Sequence, residues 1–236
     1  MTNLEFNNHI AFLRLDNPPD NRLTEPEFIQ TKQLDDFLTV NKAKALIISG
    51  TGRHFSSGAD LETIQKQLAD NTLNKKLTKG KALLTYIYKL NIPVIAAIEG
   101  ACFGGGLEIA LSSHIRVVSE KALIAFPESN LNLMPGLSGT HALKKFLSLG
   151  RSIEMLLEGN IINADKAIKM GLCDHICESK SSLRFSTELA QRMIKDKPLL
   201  VINNIMKALK NAYEMSKEEA LEKETELFCE LAKESL

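Results

Sequence analysis

Apolar and polar positions follow two alternating patterns through the first half of the chain. Four short apolar runs bounded by turn residues predict strands, at residues 9–15, 43–50, 93–100 and 115–119. Four segments with broadly helical spacing predict helices, over 26–38, 61–69, 74–90 and 105–113. Pro26 suits the start of the first of these helices. Strands that alternate with helices indicate an α/β protein in which most strands pair in parallel.

The pattern changes after about residue 138, where the periodicity becomes helical throughout. Three long segments predict helices, near 182–195, 198–213 and 216–233. Glycines stand where helix C-caps are expected, at Gly150, Gly159 and Gly171. We therefore expect an α/β front and an entirely helical back.

Composition and charge exclude few functions. The chain has 236 residues, which suits one or two domains, and its 44% hydrophobic and 25% charged content is ordinary for a folded protein. Lysine plus arginine and aspartate plus glutamate both number 29, so the formal net charge is zero. No global field therefore favours a nucleic acid or an anionic membrane as a partner.

The cysteines and the N-terminal residues bear on location. Cys173 and Cys177 lie close together, but no second pair completes a zinc site, so we expect reduced thiols and no metal. The first twenty residues lack the basic flank and apolar core of a secretory leader. No apolar stretch reaches the length of about 18 residues that indicates a membrane span. These features predict a cytoplasmic protein.

Three adjacent glycines interrupt an apolar segment, AIEGACFGGGLEIAL, over residues 97–111. A strand is expected to end near Gly100 and a helix to begin within the glycines. The first N–H groups of a helix have no internal partner, and a bare backbone lets a substrate approach them closely. Such an N–H can bind an oxyanion. A tight turn or close helix packing would explain the glycines equally well.

A second glycine turn, GRHFSSGADLETI over residues 52–64, also leads from an apolar strand into a helix. Asp60 is well placed to cap that helix, which is its favoured role. The loop before Asp60 can expose a second backbone N–H. Two such donors that converge on one point would form an oxyanion hole.

Two glutamates lie in apolar surroundings. Glu108 follows the glycine run, and Glu128 follows a proline in LIAFPESNLNLMPGLSGT over residues 123–140. Carboxylates are seldom fully buried unless they have partners. Taken singly, each glutamate is more often a salt-bridge or cap residue than a catalyst.

Together these segments resemble the enoyl-CoA hydratase/isomerase (crotonase) family from about residue 9 to about residue 228. Four motifs carry the resemblance: FSSGADL, PVIAAIEGACFGGGLEIAL, FPESNLNLMPGLSGT and EGNIINADKAIKMGL. The resemblance implies an α/β fold, a crotonase-like spiral of ββα units followed by a C-terminal helical region. It implies a core with the active site over 1–180 and a helical oligomerisation region, shorter than usual, over 181–236. Homotrimers or hexamers would follow.

The resemblance also implies roles for particular residues. The N–H groups of Ala59 and Gly105 would form the oxyanion hole, and Glu108 and Glu128 would hold one water molecule between them. The implied reaction adds water across a trans-2-enoyl thioester. No separate cofactor is expected, because coenzyme A, or an acyl carrier, arrives as part of the substrate.

Further substrate contacts are implied in the same motifs. The residues concerned are Arg53, Ser57, Gly58, Asp60, Gly104 and Gly136. Arg53 matches a basic position that receives a phosphate of coenzyme A, although an ion pair with an acidic neighbour is equally consistent. His54 is expected to be a loop residue and not a base.

Some residues depart from the family pattern. Glu62 stands where a lysine is common, and Leu137 and Ser138 replace small residues and are expected to reshape the acyl pocket. Family members commonly have a further C-terminal helix, which we do not expect within the residues up to Leu236.

The alternatives left open are a Δ3,Δ2-enoyl-CoA isomerase, in which one glutamate shuttles a proton, and a non-catalytic scaffold subunit. A hydrolase that uses Ser57 or Ser138 is less favoured, because no histidine is marked as its base.

Overall fold

The computed structural model describes residues 2–235. Its strands are β1 Thr2–Asn7, β2 Ile10–Leu15, β3 Ala45–Gly50, β4 Val94–Ile98, β5 Ala101–Phe103, β6 Ile115–Ser119, β7 Leu123–Ala125, β8 Ile162–Asn163 and β9 His175–Cys177. Its helices are α1 Thr31–Val40, α2 Leu61–Ala69, α3 Leu73–Lys89, α4 Gly105–Ser112, α5 Gly139–Leu143, α6 Leu149–Glu158, α7 Ala164–Lys169, α8 Ser182–Ile194, α9 Leu199–Glu214 and α10 Lys217–Ser235. A short 3-10 helix spans Glu128–Leu131.

The strands form two sheets. The larger sheet has the order β1-β2-β3-β4-β6-β9, and all of its pairings are parallel except the β1–β2 hairpin. The smaller sheet has the order β5-β7-β8. Because β5 directly follows β4 and leads into α4, the smaller sheet places the glycine run at the junction of the two sheets.

The core lies on both faces of the larger sheet. Every residue of β4 is buried, as are the first five of β3, which is typical of central parallel strands covered on both sides. Helix α8 covers one face with the buried side chains of Ser186, Ala190 and Ile194. Helix α9 packs against α10 and is tied to the end of α3 by Lys210, whose ammonium donates to Asn91 Oδ1 at 2.6 Å.

The predicted front half is largely confirmed. The four predicted strands correspond to β2, β3, β4 and β6. The helices predicted over 61–69, 74–90 and 105–113 correspond to α2, α3 and α4. The prediction that Pro26 begins a helix is wrong, since α1 begins at Thr31. Pro26 instead packs against Gly80 of α3, and Gln30 keeps an extended backbone immediately before the helix.

The prediction of an entirely helical back is wrong in two places. Strand β8 pairs with β7, and β9 extends the larger sheet by pairing with β6. Gly150 is not a C-cap, because it lies in the first turn of α6, whose N-cap is Ser148. Gly159 and Gly171 do end helices, with left-handed φ values of 61° and 77°.

No helix within residues 2–235 is both long and apolar enough to cross a bilayer.

Candidate active site

Buried polar groups fix the first loop of the site. Asn21 is 1% exposed, and its amide donates to the carbonyl oxygens of Thr51 at 2.9 Å and His54 at 2.7 Å. The hydroxyl of Ser56 donates to the Asn21 carbonyl at 2.7 Å. These bonds hold the loop after β3 against the segment that follows β2, so the loop is a fixed wall of the site.

Two backbone N–H groups lie side by side where this loop meets α4. The Leu23 N–H donates to the Gly58 carbonyl, and the Leu23 carbonyl accepts from the Asp60 N–H. These two bonds pair Leu23 with Ala59 in an isolated parallel bridge, in which the N–H of Ala59 points away from Leu23. Gly105 is the first residue of α4. Within residues 2–235 neither the Ala59 nor the Gly105 N–H donates a hydrogen bond. A Cβ on Gly105 would lie 4.0 Å from the Ala59 nitrogen, so the two donors are adjacent.

The glycines before each donor are required by the backbone. Gly58 has φ +93°, and a Cβ there would lie 2.9 Å from the Phe103 carbonyl oxygen. Gly104 has φ +50°, and a Cβ there would lie 2.7 Å from Glu128 Oε1. Both conformations are rarely adopted by L side chains. The bare backbone at Gly104 thus gives the Glu128 carboxylate its place beside the second donor.

Glu108 lies in the first turn of α4 and is 3% exposed. Its Oε1 accepts two backbone hydrogen bonds, from Leu137 at 2.7 Å and from Gly139 at 2.6 Å. Burial raises the pKa of this carboxyl to about 7, and the nearby negative charge of Glu128 acts in the same direction. The two N–H groups oppose the rise, because they stabilise the ionised form.

Glu128 opens the 3-10 helix directly after Pro127. Its Oε2 is buried and has no hydrogen-bond partner among the residues that the structure describes. Burial raises the pKa of Glu128 above its usual value. A buried carboxylate oxygen without a partner is uncommon in native proteins and marks a candidate functional position.

The geometry combines two kinds of group. Two adjacent unpaired N–H donors can stabilise an oxygen that gains negative charge during a reaction. The Glu108 carboxyl, with a pKa of about 7, can exchange a proton near neutral pH, and burial raises the pKa of the Glu128 carboxyl beside it. The sequence-predicted Ala59, Gly105, Glu108 and Glu128 are therefore brought to one region by the glycine run.

The remaining predicted residues surround this region in different ways. Ser57 carries a buried hydroxyl without a partner in the described part of the chain, and Gly136 lies near Leu77. Asp60 Oδ1 accepts from the Thr63 N–H at 2.8 Å, which lowers the pKa of Asp60 and caps α2. This bond accords with the favoured capping role of Asp60.

The side chains at residues 53 and 54 have distinct surroundings. Arg53 is exposed and forms no ion pair within residues 2–235. His54 Nδ1 accepts a hydrogen bond from the Ala101 N–H at 3.0 Å. His54 therefore fixes the start of β5, as expected of a loop residue.

Sequence reasoning missed the groups that bind the Glu108 carboxylate. The donors come from Leu137 and Gly139, and Ser138 between them has a left-handed φ of 97°. The Pro-Gly turn just before them was the available signal of an irregular backbone. The Leu137 side chain is 5% exposed and reaches Gly80 and Gly105, so it fills space next to the second N–H donor.

Comparison with known proteins identifies the family. The family model described as enoyl-CoA hydratase/isomerase matches residues 5–235. The chain belongs to the enoyl-CoA hydratase/isomerase family. A curated relative from Bacillus subtilis, named a probable enoyl-CoA hydratase, is 34% identical over 164 residues, which cover 69% of this chain and 64% of the relative. The fatty acid oxidation complex subunit alpha of Shewanella loihica is 35% identical over 191 residues, or 78% of this chain and 27% of that subunit.

Solved structures of other proteins share the fold. An enoyl-CoA hydratase subunit I from Geobacillus kaustophilus has a TM-score of 0.85 at 27% identity and covers 98% of this chain and 89% of its own. DspI of Pseudomonas aeruginosa has a TM-score of 0.86 at 27% identity, and the match covers 98% of this chain and 94% of DspI. The crotonase fold expected from the sequence is confirmed.

Proposed function

We propose that this enoyl-CoA hydratase/isomerase family member is a hydratase, which adds water across a trans-2-enoyl thioester to give a 3-hydroxyacyl thioester. The observation that carries the proposal is the placement of the buried carboxyl of Glu108 and the half-buried carboxyl of Glu128 beside two backbone N–H groups that donate no hydrogen bond within residues 2–235. The name of the Bacillus subtilis relative supports the same reaction.

The oxyanion hole would act on the thioester carbonyl. The carbonyl oxygen would accept hydrogen bonds from the N–H groups of Ala59 and Gly105. These bonds would polarise the carbonyl and draw electron density away from Cβ. Water oxygen then bonds to Cβ, and the carbonyl oxygen carries the negative charge of the resulting enolate. Loss of one comparable donor in other enzymes lowers the rate by about 10²–10³.

The two glutamates would each carry out one of the two proton transfers of the hydration. Glu108 has Oε1 occupied by two N–H groups, so its second oxygen would orient the water and take its proton. Glu128 would deliver a proton to Cα and complete the addition. Burial of Glu128 favours the protonated form that this step needs, because it raises the pKa of that carboxyl.

The substrate would carry its own cofactor fragment, coenzyme A or an acyl carrier. Arg53 is a candidate contact for a phosphate of that fragment, since its guanidinium is exposed and unpaired within the described residues. Arg53→Ala is then expected to raise KM in a salt-dependent way while kcat changes little, because it removes binding energy remote from the reacting atoms.

The isomerase remains the second candidate. An isomerase needs one glutamate to shuttle a proton between two carbons, whereas hydration uses an acid and a base. The unpartnered oxygen of Glu128 next to the clamped carboxylate of Glu108 favours hydration.

We also propose that the protein is a homotrimer, in isolation or paired as a hexamer. Helix α6 lies on the 3-10 helix, where the hydroxyl of Ser129 donates to the Leu157 carbonyl. Large apolar side chains are exposed around this contact, at Leu131, Leu133, Met134, Leu149, Ile153 and Leu157. Exposed apolar groups gathered in this way are typical of protein–protein interfaces. The mass in solution, measured by light scattering, tests this proposal.

Hydration of crotonyl-CoA, followed by loss of the enoyl-thioester absorbance, tests the reaction. We expect activity in the wild type and a loss of about 10²-fold or more in Glu108→Gln and in Glu128→Gln, as for removal of a general acid or base. The exposed Glu154→Gln is the matched control. A wild type that forms a conjugated product from a 3-enoyl-CoA but does not hydrate short or medium chains would be an isomerase. A protein inactive in both assays would fit the scaffold subunit.

A further inference from the structure

The carboxylate of Glu108 is bound by a backbone feature of its own. The N–H groups of Leu137 and Gly139 converge on the same oxygen, at 2.7 and 2.6 Å. Ser138 lies between the donors with φ 97° and ψ 14°. Alternation of a left-handed residue with its neighbours turns successive N–H groups to one side and forms a nest that binds an anion.

The conformation of Ser138 is unfavourable for the residue itself. A left-handed backbone is uncommon in residues other than glycine, asparagine and aspartate. Two contacts on the C-terminal side hold Ser138 in this conformation. Gly139 is buried against Phe126 and Pro135. The Ser138 carbonyl accepts a hydrogen bond from the Ala142 N–H at 2.9 Å. Strained residues that the surroundings keep in place are found mainly at functional sites.

We propose that Ser138 is a positioning residue, whose left-handed backbone holds two N–H groups on one oxygen of Glu108 and thereby orients this carboxylate and stabilises its ionised form. The inference rests on the proposed hydratase function and refines it. Glu128 has no such nest, and its Oε2 has no partner within residues 2–235. The two carboxyls therefore differ in the backbone donors that the turn at Ser138 provides to Glu108 alone among the described residues.

The nest fixes both orientation and charge. With Oε1 held by two donors, the second oxygen of Glu108 is the one left to meet a water. Backbone N–H groups stabilise a carboxylate over a carboxylic acid, and so they counteract the burial that favours its protonation. Loss of the nest is expected to leave Glu108 protonated at neutral pH and unable to accept a proton.

Substitutions at Ser138 separate the backbone effect from the hydroxyl. A β-branched residue strongly disfavours the left-handed region, whereas glycine adopts it freely. We therefore compare Ser138→Val and the milder Ser138→Thr with Ser138→Gly. Lys42→Val is the matched control, because Lys42 also has a left-handed φ, of 49°, but lies in the exposed turn between α1 and β3.

The first readout does not require activity. An infrared titration follows the protonated carboxyl band of Glu108, assigned by its loss in Glu108→Gln. We expect Ser138→Val to move the midpoint upward by about one pH unit or more, as for a carboxylate that loses backbone donors, and Ser138→Gly to keep the wild-type midpoint. Ser138→Thr is expected to shift it in the same direction as valine, which preserves the test if the valine variant does not fold.

The second readout uses the hydration of crotonyl-CoA. We expect the acid limb of the kcat profile to follow the infrared midpoint and kcat at pH 7 to fall about fivefold or more in Ser138→Val, with KM changed less than about threefold. Lys42→Val is expected to keep the wild-type profile. An unchanged midpoint in folded Ser138→Val and Ser138→Thr would overturn the inference. A wild type that titrates as expected but does not hydrate would instead refute the proposed function alone.

Discussion

Replacement of Glu108 by glutamine is expected to stabilise the protein at alkaline pH while it abolishes the proposed activity. Glu108 is buried in α4, and burial raises the pKa of its carboxyl. The glutamine side chain has nearly the same shape, and its amide oxygen can accept the two N–H bonds that Oε1 accepts from Leu137 and Gly139. The substitution therefore removes the charge with little loss of packing.

The size of the effect follows from the pKa difference. The pKa rises from an ordinary 4.5 to about 7 in the folded protein. At about 1.4 kcal/mol per pH unit, this difference corresponds to about 3 kcal/mol. Because the folded state binds the proton more tightly than the unfolded state, this stability is fully present below pH 4.5 and is lost as the pH rises through 7. Glutamine cannot ionise, so the variant avoids the loss.

Urea unfolding followed by circular dichroism measures the difference at fixed protein concentration. We expect the free energies of unfolding of wild type and Glu108→Gln to differ by no more than about 1 kcal/mol at pH 5 and by about 3 kcal/mol at pH 8, with the variant more stable. Glu154→Gln, at an exposed position of α6, controls for the loss of one negative charge. A difference between wild type and Glu108→Gln that is the same at both pH values would refute the assignment of the cost to a buried charge.

Three other substitutions test the packing of the site and core. Gly104→Ala places a Cβ 2.7 Å from Glu128 Oε1 at φ +50° and is expected to cost about 1–3 kcal/mol and to remove hydration, as measured by urea unfolding and the crotonyl-CoA assay. Asp174→Ala leaves the buried Arg116 guanidinium without the carboxylate 2.6 Å away, and thermal unfolding is expected to report a loss of about 3 kcal/mol. Leu137→Ala opens space beside the proposed oxyanion hole, so we expect kcat/KM to rise for longer enoyl-CoA chains relative to crotonyl-CoA, at a stability cost of about 2–5 kcal/mol.

Local signals explain which parts of the fold could be predicted. The run of buried residues in β3 and the cap at Asp60 depend on neighbours within a few residues, and both agree with the structure. Strand β9 has only three residues and was missed, because its pairing with β6 depends on contacts far away in the sequence. The start of α1 was also predicted wrongly because of a contact distant in the sequence: Pro26 packs against Gly80 of α3 and does not begin a helix.

The candidate site divides in a similar way. The identities of Glu108 and Glu128 and the glycine run were visible because side-chain chemistry and the absence of a Cβ are properties of the sequence. The nest around Glu108 was not visible, because serine has no preference for the left-handed conformation that Ser138 adopts. Its backbone is determined by the burial of Gly139 and by the start of α5.

The Leu23–Ala59 bridge has a consequence for the order of folding. The loop that carries the Ala59 N–H donor is held by a segment near the N-terminus, while the Gly105 N–H donor belongs to α4. Contacts between segments so distant along the chain close late, because the entropy of long loops must be overcome before they form. During refolding, helical signal should therefore recover before the two donors meet. Recovery of catalysis would then report completion of the whole fold and not of any part of it.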